Sequence, residues 1–445
     1  MSRNWLTAQG PRLIVCISFV FYAVRMFRLI SRYAVNIFFA DQWEFNDATL
    51  FQKHTIWQMF TWQLGPHRQG LAALFAKAIE PLFHWNSRTE SFIVASIVVG
   101  AALCALWLRR RLFGPISFSD VAIPAIFFTP AQWATLYLTE NFAHGAFPLL
   151  LTMIYCLAWT CRMSVVRYSL LLLINFAAIY TGFGFFLGIV TPLLLLIDYW
   201  ARSPETRLPK SYFVGTLVVS FASLGSFFIG YKFNPALDCF SFQPLSPASY
   251  AEFIVLMFAN FLSVNGRILG AIFLMAVAIS LAVALWQLLR PRTPVISNAD
   301  HNKLLITTAL IAYSLLFCVN TAYGRACAGP FMARSSRYAI YLEPGLLGLY
   351  FYLLSIPANP SRKLLLAGFL VPVVVASGHG DWRAMERFRN VKQKWKECYF
   401  QTEDIDKCDG VAGFPVLAHE PARVHLQEKL QYLKKTKQNL YVDFR

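Results

Sequence analysis

The sequence predicts an all-α polytopic membrane protein with about eleven transmembrane helices, as judged by run length, and a small outer C-terminal domain. Of the 445 residues, 57% are hydrophobic and only 14% are charged, whereas about a quarter of the residues of an ordinary soluble protein are charged. The mean hydropathy is +0.48. A soluble protein of this composition could not cover its surface with polar groups, so a soluble globular enzyme and a disordered chain are both excluded.

The net charge also indicates a membrane protein. It is formally +17, but the basic residues lie in short clusters between apolar runs and do not form one patch. Nucleic-acid-binding proteins concentrate basic residues on one face, whereas clusters between apolar runs are typical of cytoplasmic loops under the positive-inside rule. We therefore expect membrane lipid, and no nucleic acid, as a partner.

The apolar runs supply the predicted spans. A transmembrane helix needs roughly 20 apolar residues, and the first run reaches that length by continuing past Arg25 and Arg28, whose side chains can snorkel or face protein. The predicted spans cover residues 13–37, 91–108, 121–139, 141–161, 168–197 (as two helices), 211–231, 268–289, 304–324, 339–356 and 364–378.

The run 168–197 is the ambiguous one. It contains no charged residue, and it is long for one helix and short for two. Basic residues flank it on both sides, which implies an even number of crossings, and Thr181, Gly182 and Gly184 supply a break in the middle. We predict a tight hairpin of two short helices.

The basic clusters also give the orientation. A cytoplasmic N-terminus places all five of them in the cytoplasm, and the C-terminus then lies outside. No small-residue cleavage site follows the first apolar run, so this run is expected to be a retained span. The clusters are at Arg109–Arg111, Arg162, Arg202, Arg290 and Arg362.

Three segments fall outside the spans, all on the outer side: residues 36–90, 235–267 and 379–445. The last has 67 residues with 13 Lys+Arg and 10 Asp+Glu, which predicts a small soluble domain. The chain is therefore divided into a transmembrane domain, 1–378, whose first outer loop (36–90) carries juxtamembrane helices, and a C-terminal domain, 379–445.

The nine cysteines fall into two groups. Five lie in or beside the predicted spans and are expected to be packing residues: Cys16, Cys104, Cys156, Cys161 and Cys318. Four lie on the outer side and allow three pairings: Cys239, Cys327, Cys398 and Cys408. We favour a disulfide between Cys398 and Cys408, which share one small domain, and free thiols are the alternative.

An acidic cluster opens the first outer loop. Asp41, Glu44 and Asp47 fall within seven residues and would share one face of a helix, while Trp43 suits the membrane interface. A carboxylate just above the membrane can act as a general base for a hydroxyl group. The alternative is a solvated acidic face on a juxtamembrane helix.

Two further polar pairs precede or follow predicted helices. His67 and Arg68 come before an amphipathic stretch, 71–83; arginine suits a phosphate because of its fork of donors, although a surface pair at a helix start is an equal alternative. Glu140 and His144 lie four residues apart. Two ligands on one turn are a weak metal signal, so we favour a buried hydrogen-bonded pair over a metal site.

Three arginines lie on the outer side, where arginine is normally depleted. Arg325, Arg334 and Arg337 precede a late span, and a lipid phosphate or diphosphate is the simplest reason for them. Head-group contact, or pairing with Glu343, is the alternative.

Outer carboxylates could take a proton from an acceptor hydroxyl, and outer arginines could stabilise charge on a leaving phosphate. We therefore predict a group-transfer site for a lipid-phosphate donor.

Four motifs carry a resemblance to a known family, and they are spread over most of the chain. The sequence resembles the bacterial polytopic GT-C-fold glycosyltransferases, among them the O-antigen-modifying (serotype-converting) glucosyltransferases, and its layout of spans and outer C-terminal domain is similar. The motifs are Asp41-Gln42-Trp43, His67-Arg68, Glu140-Asn141-Phe142 and Arg334-Ser335-Ser336-Arg337-Tyr338. Related chains often have Glu where this one has Pro66, and Trp-Gly-Phe-Gln where this one has 144–148, departures that concern the donor sugar more than the reaction.

The resemblance implies an activity and a location. It implies a polyprenyl-phosphate sugar donor, a periplasmic glycan or lipid acceptor, inverting displacement, and the bacterial inner membrane. Asp41 is then the expected base, with Asp47 or Glu44 as alternatives. No cofactor is expected with certainty, since some relatives use a divalent metal and many do not. The expected donor-phosphate ligands are Arg68, Arg325, Arg334 and Arg337, and the expected substrate-binding residues are Trp43, His67, Glu140, Asn141, His144 and Tyr338.

Two other functions compete with transfer. A transporter or flippase of a lipid-linked sugar would use the same arginines, but it also needs a polar path through the membrane, and the charged residues within the predicted spans lie near their ends. A structural membrane subunit has no need for outer carboxylates and arginines together. We therefore favour the glycosyltransferase over the transporter, and the transporter over the structural subunit.

Overall fold

The protein is an all-α, multi-pass membrane protein. The computed structural model describes residues 3–139, 141–202, 207–233, 239, 245–290, 297–417 and 422–444. Within these ranges there are nineteen α-helices. They are α1 (Arg3–Tyr33), α2 (Gln42–Asn46), α3 (Ile56–Phe60), α4 (Gly70–Ile79), α5 (Ser87–Phe113), α6 (Ala122–Phe127), α7 (Trp133–Tyr137), α8 (Ala146–Trp159), α9 (Ser164–Ile179), α10 (Phe185–Ala201), α11 (Lys210–Ser226), α12 (Pro247–Phe261), α13 (Arg267–Leu289), α14 (Asn298–Arg325), α15 (Ala339–Ser355), α16 (Pro360–Gly378), α17 (Trp382–Thr402), α18 (Ile405–Ala412) and α19 (Leu426–Thr436).

One small ribbon interrupts the helices. Two-residue strands β1 (Gln63–Leu64) and β2 (His67–Arg68) pair antiparallel around the turn at Gly65 and Pro66. Gly65 has φ +56°, a left-handed conformation that glycine adopts without steric cost. The ribbon thereby fixes His67 and Arg68 at the start of α4.

Six helices in the described part of the chain are long and apolar enough to cross a membrane. This finding corrects the predicted count of eleven. Helices α8, α9, α11 and α15 have 14, 16, 17 and 17 residues, fewer than the roughly 20 that a crossing needs. The six candidate spans are Gln9–Tyr33, Ser87–Phe113, Gly182–Ala201, Arg267–Leu289, Ala299–Ala328 and Pro360–Thr402.

The predicted span over 121–139 is also corrected. The structure has two short helices there, α6 and α7, joined by a 3₁₀ turn at Pro130–Gln132. Thr129 caps this turn by accepting a hydrogen bond from the Ala131 N–H at 3.2 Å, and Pro130 has no N–H to continue the helix. The segment is almost entirely buried, so a short broken helix is stabilised by the protein around it.

The predicted division of the run 168–197 into two helices is confirmed, although only the second helix belongs to a candidate span. Helices α9 and α10 are joined at Gly182–Gly184, and Gly182 has φ +52°. A Cβ atom at Gly182 would lie 2.0 Å from the Ala143 carbonyl oxygen, and one at Gly70 would lie 2.1 Å from the Tyr180 carbonyl oxygen. Three chain segments therefore meet at this turn with backbone-to-backbone contact that no larger residue allows.

Buried ion pairs connect helices at the end of the bundle that is opposite to Asp41. Arg109, near the end of α5, pairs with Asp120 at 2.6 Å. Asp198, near the end of α10, pairs with Arg202 at 2.7 Å and with His301, at the start of α14, at 2.8 Å. Two of the five basic clusters noted above, at Arg109–Arg111 and at Arg202, therefore lie at this end of the bundle, whereas Asp41 follows the C-terminal end of α1.

The tail, residues 379–445, packs onto the first outer loop. Asn439 accepts a hydrogen bond from the Phe38 N–H at 3.2 Å and donates to the Trp85 carbonyl at 2.7 Å. Lys429 pairs with Asp47 at 2.7 Å. Within the tail, the predicted disulfide between Cys398 and Cys408 joins α17 to α18. A second disulfide joins Cys239 to Cys327.

Candidate functional site

Asp41 and Arg337 form an ion pair across 296 residues of sequence. The Arg337 Nη1 donates to Asp41 Oδ2 at 2.9 Å, and the two side chains are 43% and 45% exposed. Asp41 precedes α2, and Arg337 lies in a 3₁₀ turn, Ser336–Tyr338, that leads into α15. The sequence-predicted base and one predicted phosphate ligand therefore lie together, and both remain open to ligand.

The backbone beside Asp41 is strained and held by the tail. Ala40 has φ +50°, an unusual conformation for a residue that carries a Cβ atom. Its N–H donates to the Val416 carbonyl at 2.7 Å. Because strain of this kind persists only where the surroundings over-determine it, the tail contributes to the position of Asp41.

Two cavities meet at the Asp41–Arg337 pair. The first, here called the aromatic cavity, has a volume of about 360 Å³ and contains Asp41, His67, His144, Arg325 and Arg337 in its wall. Most of the remaining wall is aromatic. Six phenylalanine rings belong to it: Phe183, Phe185, Phe186, Phe227, Phe228 and Phe233.

The second, here called the tail-side cavity, has a volume of about 790 Å³. The tail supplies His379, Asp381, Phe388 and Phe414 to its wall, and the helical bundle supplies Trp133, Asn265 and Arg334, among others. Asp41, Thr139 and Arg337 line both cavities. The ion pair therefore stands at the boundary between an apolar compartment and a more polar one.

Two histidines form a direct contact in the aromatic cavity. The Nε2 atoms of His67 and His144 are within hydrogen-bond distance of each other, and one ring must donate while the other accepts. Burial lowers the pKa of His67 well below its usual value, and burial together with the charge of Arg337 lowers the pKa of His144 to about 3. Both rings are therefore neutral at pH 7 and can hydrogen-bond a ligand without adding charge.

The arginines predicted to bind a phosphate separate into three environments. Arg325 and Arg337 line the aromatic cavity. Arg334 lines the tail-side cavity, where it donates to Asn265 Oδ1 at 3.0 Å and to the Asn265 carbonyl at 2.8 Å. Arg68 lines neither cavity.

Arg68 is a structural residue. Its guanidinium donates to the Phe227 carbonyl at 2.7 Å, to the Ile229 carbonyl at 2.6 Å and to the Thr61 carbonyl. The side chain is buried and lines neither cavity. It therefore fixes the chain after α11 to the ribbon, and the expectation that it binds a donor phosphate is withdrawn.

The other carboxylates of the acidic cluster lie away from both cavities. Glu44 lines neither of them. Asp47 begins a π-helical turn, Asp47–Phe51, where burial raises its pKa and Lys429 partly offsets that effect. Trp43 is fully buried and packs edge-on against Phe38 with ring centroids 5.3 Å apart. Asp41 is therefore the one member of this cluster placed to meet a substrate, and Trp43 packs in the core.

The remaining predicted site residues also include one that lines a cavity and one that is buried in the protein. Tyr338 lines the aromatic cavity. Asn141 is buried, and its Oδ1 accepts from the Ala143 N–H at 2.8 Å, which shapes the turn that carries His144. Glu140 lies outside the described residues. The predicted pair of Glu140 and His144 therefore stays a prediction, while among the described residues His144 contacts His67.

Sequence reasoning missed several lining residues. Phe183 contacts the His67 ring with centroids 4.8 Å apart and the Tyr341 ring at 5.0 Å, and only the break at Gly182 and Gly184 marked this region. Asp381, Phe388 and Phe414 come from the tail, where no motif distinguished them. Their role depends on how the tail packs.

In the described ranges there is no group of three or more His, Cys, Asp or Glu side chains that could hold a metal ion. We therefore assign no step to the divalent metal that some members of the resembled family use.

Comparison with known proteins leaves the family as an inference from the motifs. No protein-family model matches the chain. A search of the curated proteins also gives no match.

Proposed function

We propose that the protein is a GT-C-type glycosyltransferase that moves a sugar from a polyprenyl-phosphate donor to an acceptor on the outer side of a bacterial inner membrane. The observation that carries this proposal is the position of the Asp41–Arg337 pair, which lies where the two cavities meet. A base and an anion ligand at one boundary suit a reaction between a lipid-linked phosphate and a second substrate.

The aromatic cavity suits the donor. Its volume of about 360 Å³ falls in the range of roughly 300–1,000 Å³ that holds small-molecule ligands. Arg325 and Arg337 offer charge to a phosphate. Two wall residues, Phe228 and Phe233, are also 56% and 60% exposed at the surface, so the cavity opens beside an apolar surface where a prenyl chain can pack.

The proposed chemistry is a single inverting displacement. Asp41 accepts the proton of the acceptor hydroxyl, whose oxygen forms a bond to the anomeric carbon. The bond from that carbon to the phosphate oxygen breaks, and the polyprenyl phosphate leaves with the electron pair. Arg325 and Arg337 stabilise the negative charge that develops on the leaving phosphate.

The Asp41–Arg337 ion pair also suggests the order in which the donor and the acceptor bind. Asp41 and Arg337 are each close to half exposed, and an ion pair of that kind contributes only about 0–1 kcal/mol. A donor phosphate that binds Arg337 therefore competes successfully with Asp41. The carboxylate is then released to accept a proton, so we expect the donor to bind before the acceptor.

The distribution of charge supports an outer location for the site. Arg109, Asp198, Arg202 and His301 lie in buried ion pairs at the end of the bundle remote from Asp41, beside the basic clusters. Basic clusters mark the cytoplasmic ends of membrane helices, so the Asp41 end belongs on the opposite side. This arrangement supports an outer location for Asp41 and for the tail that packs beside it.

The test compares surface glycans from cells that lack the gene with those from cells that carry it. The wild-type gene should add one hexose to the glycan mass, and Asp41→Asn should abolish this addition. Glu44→Gln is the matched control, because Glu44 lies in the same acidic cluster but lines neither cavity. Insertion of each variant is checked by its amount in purified membranes.

Two outcomes would contradict the proposal. Full hexose addition by the inserted Asp41→Asn variant would exclude Asp41 as the base. The second outcome concerns the deletion strain and would favour a transporter of a lipid-linked sugar. In that outcome an unmodified lipid carrier accumulates on the cytoplasmic side of the membrane, and opened membranes of the same strain still transfer the hexose.

A further inference from the structure

We propose that the protein has a binding site for an anionic phospholipid at the end of the helical bundle opposite to Asp41. The site is a third cavity, here called the basic cavity, with a volume of about 720 Å³. It lies where α5 and α8 end and where α9 and α14 begin. No described residue lines both this cavity and either of the other two, so the inference is independent of sugar transfer.

The position of the basic cavity follows from its neighbours in α5 and α14. The lining residue Arg111 lies two residues after Arg109, which forms one of the buried ion pairs at this end. The lining residue Asn302 accepts a hydrogen bond from Arg202 of the second buried cluster at 2.9 Å. Arg111 is also roughly 35 Å along α5 from Ser87, which contacts the tail. Because α5 is a candidate span, the basic cavity and the Asp41 site face opposite leaflets.

Two guanidinium groups give the basic cavity its charge. Arg111 and Arg162 both line it and are exposed, and none of the described lining residues carries a carboxylate. A third arginine, Arg167, is buried beside the cavity and donates to the carbonyl of the lining residue Cys161 at 3.3 Å. Guanidinium groups form charge-assisted hydrogen bonds with phosphate, so this wall favours an anion.

Nearby carboxylates do not neutralise the two lining arginines. Three carboxylates in the described part of this end each pair with another cation. The pairs are Asp120 with Arg109 at 2.6 Å, Asp198 with Arg202 at 2.7 Å, and Asp300 with Lys303 at 2.8 Å. The charge of Arg111 and Arg162 is therefore available to a ligand.

Neutral polar groups complete the site. Arg111 donates to the Thr160 hydroxyl at 2.8 Å, which orients its guanidinium in the wall, and the Asn302 amide also lines the cavity. The lining residue Met163 precedes α9 and provides no side-chain cap, and the free N–H groups of a helix N-terminus favour an anion. Basic pockets of this kind between membrane helices bind anionic lipid head groups.

Exposed aromatic side chains identify this end as a membrane interface. Trp107 and Trp200 are 52% and 69% exposed, and tryptophan is enriched where the hydrocarbon core meets the head groups. The Arg111 guanidinium lies over the Trp107 ring, 4.5 Å from its centroid. The basic cavity therefore opens at the depth of lipid head groups.

Two stripes of exposed apolar residues lead from the cavity towards the middle of the membrane. Residues three or four positions apart lie on one face of a helix. The stripes are Leu103 and Trp107 on α5, and Val166, Leu170 and Leu173 on α9. Two stripes can accommodate two acyl chains, so a diacyl phospholipid fits this surface better than a free phosphate or a single-chain isoprenoid phosphate.

The test measures lipid binding to the purified full-length protein in a non-ionic detergent by isothermal titration calorimetry. The anionic probe is dihexanoylphosphatidylglycerol, and the zwitterionic comparison is dihexanoylphosphatidylcholine. The anionic lipid should bind at least about ten-fold more tightly, because only its head group lacks a cation that competes with the arginines for the phosphate.

Removal of either lining arginine should weaken binding. Arg111→Gln and Arg162→Gln should each raise the Kd for dihexanoylphosphatidylglycerol at least about ten-fold by loss of a charged hydrogen bond. The matched control is Arg110→Gln, since Arg110 is exposed and adjacent in sequence but does not line the cavity. At about 0.15 M salt, where exposed charges are screened, its Kd should stay within about two-fold of the wild type.

Ala299→Asp separates a loss of binding from a loss of folding. Ala299 lines the cavity in the first turn of α14, where a carboxylate is favoured by the helix dipole but repels a phosphate. This variant should keep the melting temperature of the lipid-free wild type and bind the anionic lipid at least about ten-fold more weakly. Added dihexanoylphosphatidylglycerol should raise the melting temperature of the wild type more than that of the variant, because a ligand of the folded state stabilises it.

Several results would overturn the assignment. An unchanged Kd in Arg111→Gln, Arg162→Gln and Ala299→Asp would exclude the basic cavity as the site, and equal affinity for the zwitterionic lipid would exclude an anionic head group. Inorganic phosphate that binds as tightly would show that the acyl chains are not recognised. Farnesyl phosphate that binds more tightly, and loses that affinity in Arg162→Gln, would assign the cavity to an isoprenoid phosphate. None of these measurements involves transfer, so they do not depend on the proposed function.

Discussion

At the scale of single residues, the structure divides arginines that look alike in the sequence. Arg68 and Arg337 were both expected to bind a phosphate. In the fold Arg68 donates to three backbone carbonyls, whereas Arg337 donates to the half-exposed Asp41 at a cavity boundary. The difference is whether the guanidinium is already satisfied by the protein.

Substitution of these two arginines should therefore give opposite results. Arg337→Ala should raise the donor KM at least about ten-fold, because it removes a charged hydrogen bond to the phosphate, and leave the melting temperature nearly unchanged. Arg68→Ala should lower the melting temperature by several degrees, because it leaves buried carbonyls without donors. Donor titrations and thermal melts of both variants check this, and an unchanged donor KM in Arg337→Ala would contradict the phosphate assignment.

Glu80 predicts a pH dependence of stability. It is buried, neither carboxylate oxygen has a hydrogen-bond partner among the described residues, and burial raises its pKa from 4.5 to about 8. The folded state binds a proton at Glu80 that the unfolded state releases between these values. Stability from this group is therefore full below the lower value and falls as pH rises towards the upper one.

Glu80→Gln should remove that dependence. At pH 8 the variant should unfold at a temperature higher by about 2–4 °C or more, the shift expected for 1 kcal/mol, and at pH 5 the difference should be small. Melting curves of both proteins across this range measure the effect. Equal slopes of melting temperature against pH for the two proteins would exclude Glu80 as the source.

At the scale of elements, the hairpin of α9 and α10 matters more for the site than its predicted role as two spans suggested. Its turn brings Phe183 against His67, while the Gly182 Cα lies against the loop that carries His144. The Thr181 hydroxyl also accepts from the Leu71 N–H at 3.0 Å. A turn that the sequence marked only as a break thus assembles one wall of the aromatic cavity.

Gly182→Ala should disrupt that wall. The new Cβ would lie 2.0 Å from the Ala143 carbonyl oxygen, and φ is +52°, so both sterics and backbone conformation oppose it. We expect a loss of about 2 kcal/mol or more and a strong loss of transfer. Gly215→Ala is the control, since a Cβ there meets nothing within 4 Å; a wild-type melting temperature for Gly182→Ala would contradict this account.

At the scale of the whole molecule, the tail and the helical bundle form one unit. Lys429 pairs with Asp47 at 2.7 Å and donates to the Trp43 carbonyl at 3.3 Å. The paired side chains of Lys429 and Asp47 are only 10% and 17% exposed. This buried pair fixes the tail to the segment that begins with Asp41.

A double-mutant cycle should show this coupling. Lys429→Met alone should lower stability by about 3–5 kcal/mol, because it leaves Asp47 buried without its partner, and should lower transfer. Adding Asp47→Asn should restore much of the lost stability, which is measured as an interaction energy from thermal or denaturant unfolding. Strictly additive single effects would show that the two side chains are not coupled.

Much of the fold follows from local properties that can be read from the sequence. The six candidate spans, the break at Gly182 and the disulfide between Cys398 and Cys408 depend on apolar run length, glycine and short separation. The count of eleven spans was wrong because apolar runs also occur in short helices that are buried in protein, as in α6 and α7. Hydropathy alone does not separate the two environments.

The sequence by itself determined an all-α membrane protein and identified Asp41, His67, His144, Arg325, Arg337 and Tyr338 as residues with chemistry to offer. Only the tertiary structure decided that these residues share one cavity wall, that Arg68 is a clamp, and that the tail closes a second cavity. The physical reason is that composition and periodicity report on local structure, within one helical turn or one membrane span. Contact between residues nearly 300 positions apart, such as Asp41 and Arg337, depends on how whole helices pack.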